Sequence, residues 1–342
     1  MTGELVFSNN SGIGIQSRRL CYLIKPNRIL AIDSSGFSKN KKQHWDWYAN
    51  FQGIITKHGF PTNREIDAFL KGLTRVFCIE NPLNFYLLDA CKTSGIKLYI
   101  QSNFEFSDHL NRNLTLPTKF LMPSYWMIDE MKRRFGDDKV MYLPPPINPS
   151  EFTNAREINL KRKDKKRFLH IVGTLAVHDR NGTLDLIKAV EQTKEDFDLI
   201  IRAQRELPRE YMSDNKKIRY IFEDSESVED MYKDFDAMIF PRRYGGLSLS
   251  CNEALMSALP VIMPDISPNN QLLPKKWLIP AHKSHDFQAR VVIPVYTSDI
   301  QKLAQKIDEF AIADLTEDKI EAFELAYNQF SETSLLPVYS KL

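Results

Sequence analysis

From Phe235 to Leu255 the sequence reads Phe-Asp-Ala-Met-Ile-Phe-Pro-Arg-Arg-Tyr-Gly-Gly-Leu-Ser-Leu-Ser-Cys-Asn-Glu-Ala-Leu. This is an apolar strand, a turn with two arginines and two glycines, and a helix that carries Glu253. The chemistry such an order supports is anion recognition. A helix N-terminus presents amides and the positive end of its dipole, and Arg242 and Arg243 add charge-assisted donors. Gly245 and Gly246 let the backbone near Leu247 and Ser248 approach a ligand closely. Glu253, two turns into the helix, is spaced to accept hydrogen bonds from vicinal ribose hydroxyls. An earlier stretch repeats the theme: a strand at 168–173, then Thr174, then Asp179-Arg-Asn-Gly-Thr183 leading into a helix. Arg180 and Asn181 stand in that second phosphate-facing turn, and Arg202 closes the next strand.

The first half offers weaker groups. Ser8-Asn-Asn-Ser-Gly-Ile-Gly14 places Gly12 and Gly14 between a strand and a helix, where backbone amides can meet an anion or a sugar. A dinucleotide fingerprint would need a third glycine, so NAD binding is disfavoured. Glu80, and Asn103 and Glu105 in Gln101-Ser-Asn-Phe-Glu-Phe106, follow strands and are the catalytic candidates on an acceptor side; a helix cap or turn contact explains each of them slightly better. Ser38-Lys-Asn-Lys-Lys-Gln-His-Trp-Asp-Trp-Tyr48 mixes cations with aromatics. Lys39, Lys41, Lys42, Trp45 and Trp47 there suit phosphates and unstacked bases, while packing on the domain and resting on anionic lipid are the competing readings. The Asp-Phe-Asp pairs at 196–198 and 234–236 precede their strands, on the wrong edge for a ligand, so no metal is expected. His170 lies mid-strand and reads as a satisfied core residue; His178 lies in the phosphate-facing loop.

Elements that could position these groups alternate along the chain. Strand patterns at 4–8, 28–33, 75–80, 97–101, 119–122 and 139–143 alternate with helical ones at 82–93 and 125–135. The second half repeats this with strands at 168–173, 198–202, 219–222, 237–241 and 260–263, and helices at 182–193, 228–235 and 247–259. That alternation predicts parallel sheets wrapped by helices. Leu143-Pro-Pro-Pro-Ile-Asn-Pro149 cannot continue a helix or a central strand. It separates an N-terminal domain, 1–150, from a C-terminal domain, 151–330, with 331–342 expected to pack back on the first. The fold class is thus α/β, with two Rossmann-like doubly wound domains facing a central cleft.

Composition agrees. The chain has 342 residues, 43% hydrophobic and 26% charged, which is a globular balance. The net charge of +2 conceals two basic segments, residues 161–167 and 39–42; without them acids outnumber bases by six. Four scattered cysteines form no C-x-x-C pair, so neither a zinc site nor a disulfide framework is expected, and the setting reads as reducing and cytoplasmic. No apolar run reaches the roughly 20 residues of a bilayer span, and no secretory signal is expected at the start.

The stretch Pro241-Arg-Arg-Tyr-Gly-Gly-Leu247, Glu253-Ala254 and Ala258-Leu-Pro-Val261 resembles the donor-binding block of GT-B glycosyltransferases of the retaining, family-four type. Residues 145–152 resemble that family's inter-domain segment and residues 168–182 its first nucleotide-facing loop. The resemblance implies transfer of a sugar from a UDP- or GDP-sugar, retention of configuration, and no permanently bound cofactor. It also implies that Glu253 holds the ribose and the amides near Gly246–Leu249 the phosphates or sugar. Where the family has a first glutamate this chain has Gly245, and where it has Arg and Lys in the first loop this chain has Thr174 and Asn181. Phosphate charge must then be met by Arg180, Arg242, Arg243 or Arg202. The motif pair is most similar to phage-encoded glycosyltransferases of modified DNA, which implies 5-hydroxymethylpyrimidine in DNA as acceptor, in the host cytoplasm. A glycan or lipid-linked acceptor is the alternative, followed by a nucleotide-sugar epimerase and a catalytically silent nucleic-acid-binding module.

Overall fold

The structure is a computed structural model. It describes residues 2–3, 11–32, 44–56, 60–161, 165–173, 175–223, 225, 227–246 and 248–342. Of the sequence-predicted features, the strand at 4–8, Lys39, Lys41, Lys42, Thr174 and Leu247 lie outside the described residues, as does the side chain of Trp45.

The chain divides into two compact units, one made of Met1–Ile147, Ala289–Val291 and Glu332–Leu342, the other of Asn148–Gln288 and Val292–Ser331. In the first, the elements run β1 (Thr2–Gly3), α1 (Gly12–Ile24), β2 (Ile29–Ile32), β3 (Gly53–Thr56), α2 (Asn63–Leu70), β4 (Arg75–Ile79), α3 (Tyr86–Thr93), β5 (Lys97–Gln101), β6 (Lys119–Met122), α4 (Ile128–Phe135) and β7 (Val140–Tyr142). A sheet of order β1-β4-β5-β6-β7 is parallel throughout, and β2 and β3 form a separate parallel pair. Strands with helices on their faces read as continuous apolar runs, as in Val76-Phe-Cys-Ile79, buried at every position. A core of Leu20, Cys21, Ile79, Tyr99 and Leu121 gathers between α1 and the sheet. Full burial of each aliphatic side chain there contributes about 1.5–3 kcal/mol.

The second unit runs α5 (Thr153–Asn159), β8 (Arg167–Gly173), α6 (Thr183–Val190), β9 (Asp198–Ala203), β10 (Ile218–Ile221), β11 (Ala237–Ile239), α7 (Leu249–Met256), β12 (Val261–Pro264), α8 (Asn269–Leu272), β13 (Leu278–Ile279), β14 (Ala281–Gln288), β15 (Val292–Ser298), α9 (Ile300–Ile312) and α10 (Thr316–Phe330). Its sheet has the order β10-β9-β8-β11-β12-β13, all parallel. The final helix, α11 (Glu332–Lys341), belongs to the first unit, where Leu335 and Tyr339 join the core and the Tyr339 hydroxyl donates to the carbonyl of Pro144 at 3.0 Å.

Two expectations change. The helix expected at 228–235 is a single tight turn, Glu229–Met231, because Asp234 takes a left-handed φ of 71° that ends any helix before β11. The antiparallel hairpin of β14 and β15 has no counterpart in the strand patterns above: its first strand, Ala-His-Lys-Ser-His-Asp-Phe-Gln, is mostly exposed and lacks the apolar alternation that marks a strand.

Candidate functional site

Chain order decides where a ligand can sit in the second unit. From β8 the strands step one way, to β9 and β10; from β11 they step the other way, to β12 and β13. Loops leaving the carboxyl ends of β8 and β11 therefore diverge at a topological switch point, which is where open parallel sheets bind ligands. The two stretches singled out in the sequence are these two loops.

The β8 loop is built from the inside out. His170 donates through Nδ1 to the carbonyl of Ile239 (2.8 Å) and meets the Thr183 hydroxyl through Nε2 (3.0 Å), so it ties β8 to β11 and α6 as a buried core residue. Asn181 donates to the carbonyls of Ile171 and Val172, at 3.2 and 3.0 Å, which turns the loop back on its own strand. Gly182 has φ +72°, and a Cβ there would overlap the carbonyl of Pro241; only glycine lets the two loops meet. The Asp179 carboxylate accepts from the amides of Thr183 (3.0 Å) and Leu184 (2.8 Å). An acidic side chain thus occupies the start of α6, the turn expected to face phosphate.

In the β11 loop the two arginines part company. Arg243 is a staple: Nε donates to the carbonyl of Tyr296 (2.8 Å), Nη1 to that of His178 (3.1 Å) and Nη2 to the Thr297 hydroxyl (3.0 Å). Its guanidinium holds β15 and the β8 loop, the reverse of the phosphate contact expected for it. Arg242 is buried, and its Nε donates to the carbonyl of Tyr244 at 3.1 Å. Its Nη2 lies 2.9 Å from the point a Cβ on Gly245 would occupy, and the Arg180 guanidinium overlaps that same point. Gly245, at φ +99°, is the floor on which two guanidiniums converge. Arg180 also lies over the Tyr244 ring, 5.4 Å from its centroid. Gly246 is buried beside them.

Beyond the loop, the Ser248 hydroxyl accepts from the Cys251 amide (3.3 Å) and caps α7. Glu253, 6% exposed, takes a hydrogen bond of 2.7 Å from the Tyr232 hydroxyl. Arg202 leaves β9 to donate to the Ser225 hydroxyl at 2.6 Å, and burial pulls its pKa below the ordinary arginine value. Tyr232 is a residue that sequence reasoning missed. No spacing rule links a tyrosine before β11 to a glutamate two turns into α7.

The Asp-Phe-Asp carboxylates serve the fold. Asp236 accepts from the Arg167 amide and pairs with Lys319 at 2.7 Å, Asp234 pairs with Arg167, and Asp198 pairs with Lys165 at 3.1 Å. Among the described residues no cluster of three metal-ligating side chains is found. His178, at φ +55°, approaches His285 with Nδ1 to Nε2 3.1 Å and packs on Phe287.

In the first unit the carboxyl ends of β4 and β5 bring two expected residues together. Asn103 donates to Glu80 Oε1 at 2.6 Å, and Glu80 is 4% exposed with φ +58°. A left-handed backbone at a bulky residue costs of order 1–3 kcal/mol and persists where the surroundings hold it. Here the Glu80 amide donates to the carbonyl of Gln101 (2.8 Å). Neighbouring Asn81 accepts from the Asp108 amide (3.1 Å) and donates to the carbonyl of Phe106, and Glu105 is buried within that turn. Gly12 and Gly14 depart from expectation. They are the first and third residues of α1, and the Gly14 amide is bound by the Ser11 hydroxyl at 3.1 Å, a capped helix start in place of an open turn. Trp47 packs inward as well, stacked on His44 (4.5 Å) with the Arg18 guanidinium 4.9 Å from its ring.

Two comparisons fit this geometry. Residues 166–310, the span that carries both loops, match the family profile described as glycosyl transferases group 1. The whole chain superposes on solved structures of two-domain GT-B glycosyltransferases. A glycosyltransferase from Rickettsia africae ESF-5 shares 14% identity, with 100% of this chain and 95% of that chain covered and a TM-score of 0.72. A lipopolysaccharide outer core galactosyltransferase in its apo form gives 14%, 100%, 99% and 0.64. An Anabaena protein solved with UDP and glucose gives 9%, 98%, 96% and 0.66. At these identities the likeness speaks for the fold: two Rossmann-like units. No curated protein matches the chain in sequence. Fold and matched segment together define the class, and the chain is a glycosyltransferase. No helix among the described residues is long and apolar enough to cross a membrane.

Proposed function

We propose that the chain moves a sugar from a nucleotide-sugar, with UDP or GDP as its nucleotide, to an acceptor hydroxyl. The observation that carries this reading is the convergence of Arg180 and Arg242 over Gly245, at the switch point and just before the capped start of α7. Two guanidiniums there meet the charge that grows on a departing diphosphate, and such preorganised charge is worth most in a water-poor site. Glu253, oriented by Tyr232, accepts from the ribose hydroxyls. On the acceptor side Glu80, with Asn103 on its carboxylate and Glu105 nearby in sequence, takes the proton of the acceptor hydroxyl, whose oxygen forms the new glycosidic bond as the bond from sugar to phosphate breaks and the nucleoside diphosphate leaves. Neither loop calls for a permanently bound cofactor.

For the acceptor, two readings have separate support. Hydroxymethylated pyrimidine in DNA is supported by the basic segments at 39–42 and 161–167 and by the motif pair in the two donor loops. A glycan or lipid-linked sugar is supported by the fold neighbour named as a lipopolysaccharide galactosyltransferase. The inward packing of Trp47 removes one aromatic from the DNA reading.

The test is a transfer assay with a panel of UDP- and GDP-sugars against hydroxymethylated duplex DNA and against glycan acceptors, read by mass. Glu253→Ala should abolish transfer while the fold persists. Undiminished turnover in that variant overturns the donor site. Transfer to glycans, with no sugar on DNA, selects the second acceptor.

A further inference from the structure

The edge of the first unit opposite Glu80 and Asn103 holds a groove of about 590 Å³, within the range of small-molecule sites. It lies where α1 ends, where β2 and β4 begin, and beside α11. Its apolar wall includes Ile24, Leu73, Phe77 and Leu336, the last 45% exposed. Its cations are Lys25, Arg28 and Arg75.

The charge beside this groove is one-sided. The stretches 22–28, 71–75 and 92–97 hold six cations, Lys25, Arg28, Lys71, Arg75, Lys92 and Lys97, and not one Asp or Glu. Helices in a parallel α/β unit end where strands begin, so the carboxyl ends of α1, α2 and α3 need some positive charge. Each such end carries about half a negative charge, so the three together balance fewer than two of the six. Arg28 does that work for α2, its Nη1 donating to the carbonyls of Ala68 (3.1 Å), Phe69 (2.7 Å) and Lys71 (3.0 Å). Lys25 and Arg75 are exposed and form no ion pair among the described residues. Lys25 also takes a left-handed φ of 44° at the end of α1, a position that glycine usually fills.

We propose that this groove binds the phosphate and upper acyl region of an anionic phospholipid, and so docks the first unit on a negatively charged bilayer. Apolar walls under a cationic rim match an amphiphile with a negative head, and surplus basic residues are drawn to anionic leaflets. A nucleic acid fits less well. The only aromatic in the three stretches, Tyr22, packs edge-on against Phe51 and leaves no stacking row for bases. The site is separate from the donor loops, and the inference does not depend on the donor or acceptor.

The experiment is co-sedimentation of the full chain with vesicles of phosphatidylcholine alone or mixed with phosphatidylglycerol. Binding should be roughly tenfold or more stronger to the mixed vesicles, and it should weaken with salt. The double variant Lys25→Ser, Arg75→Ser should lose that preference while keeping its circular dichroism and its sugar transfer. Arg28 stays in place because it caps α2. A charge-matched control, Lys188→Ser with Lys302→Ser, should bind as the parent does. Equal binding to both vesicles overturns the proposal, as does a double variant that binds normally or a control that loses as much. Binding of inorganic phosphate at these residues without any preference for the mixed vesicles would mean a free-phosphate site, and capture of duplex DNA through the same two residues a nucleic-acid face; either result overturns it too.

Discussion

The Tyr232 hydroxyl lies 2.7 Å from Glu253 Oε2, and both side chains are buried. A carboxylate is thereby held in one orientation at the candidate donor site by a group that reaches it from before β11. Removing that donor costs about 1.5–3 kcal/mol for a hydrogen bond to a charged group. Tyr232→Phe should therefore lower stability by about that amount in urea unfolding and, in the folded fraction, raise KM for the nucleotide-sugar severalfold. An unchanged KM would show that Glu253 needs no such orientation.

Gly245→Ala probes the guanidinium pair. At φ +99° any side chain is strained, and its Cβ would displace Arg180. The expected result is a stability loss of about 1–3 kcal/mol in urea unfolding, together with transfer reduced more than that loss explains. Arg243→Ala should behave differently. It frees β15 and the β8 loop, so its main effect is on stability, with activity of the folded fraction largely kept. If Arg243→Ala instead abolishes transfer in a fully folded protein, the staple role is incomplete.

Acid should weaken the fold through two histidines. Burial lowers the pKa of His170 and of His109, so the native chain holds both neutral. As pH falls through about 6.5, the unfolded chain takes up protons that the native chain refuses, and stability drops by up to about 1.4 kcal/mol per pH unit for each group. Urea midpoints at pH 7.5, 6 and 5 should decline in that order. A flat profile would show that neither histidine is kept neutral.

The cysteines should be inert in the native state. All four are buried, and burial pushes the Cys21, Cys91 and Cys251 thiols up to about 12. Ellman's reagent should titrate fewer than one thiol in buffer within minutes and four in denaturant. Rapid reaction of the folded protein would place at least one thiol at the surface.

Much of this architecture is legible in the sequence, and particular residues show why. Strands such as 97–101 and 119–122 carry unbroken apolar runs bounded by turn residues, so their ends are visible. Gly182 and Gly245 announce the donor loops because only glycine fits there. What escapes is whatever long-range packing decides. Arg242 and Arg243 are adjacent and chemically identical, yet one faces Gly245 and the other grips Tyr296, more than fifty residues away. Gly12 and Gly14 look like an open loop until the Ser11 hydroxyl closes it as a cap. The β14–β15 hairpin is hidden by its exposed, polar first strand.

The place of α11 bears on how the chain is made. Leu335 and Tyr339 complete a core whose other members come from the first 143 residues, so the second unit is in effect an insertion within the first. During synthesis the amino-terminal unit emerges first but cannot close until the other has been made. It spends that interval with the apolar surface around Phe77 and Tyr99 open to solvent, the kind of unfinished state that chaperones recognise. First to appear, the amino-terminal unit is the last to finish.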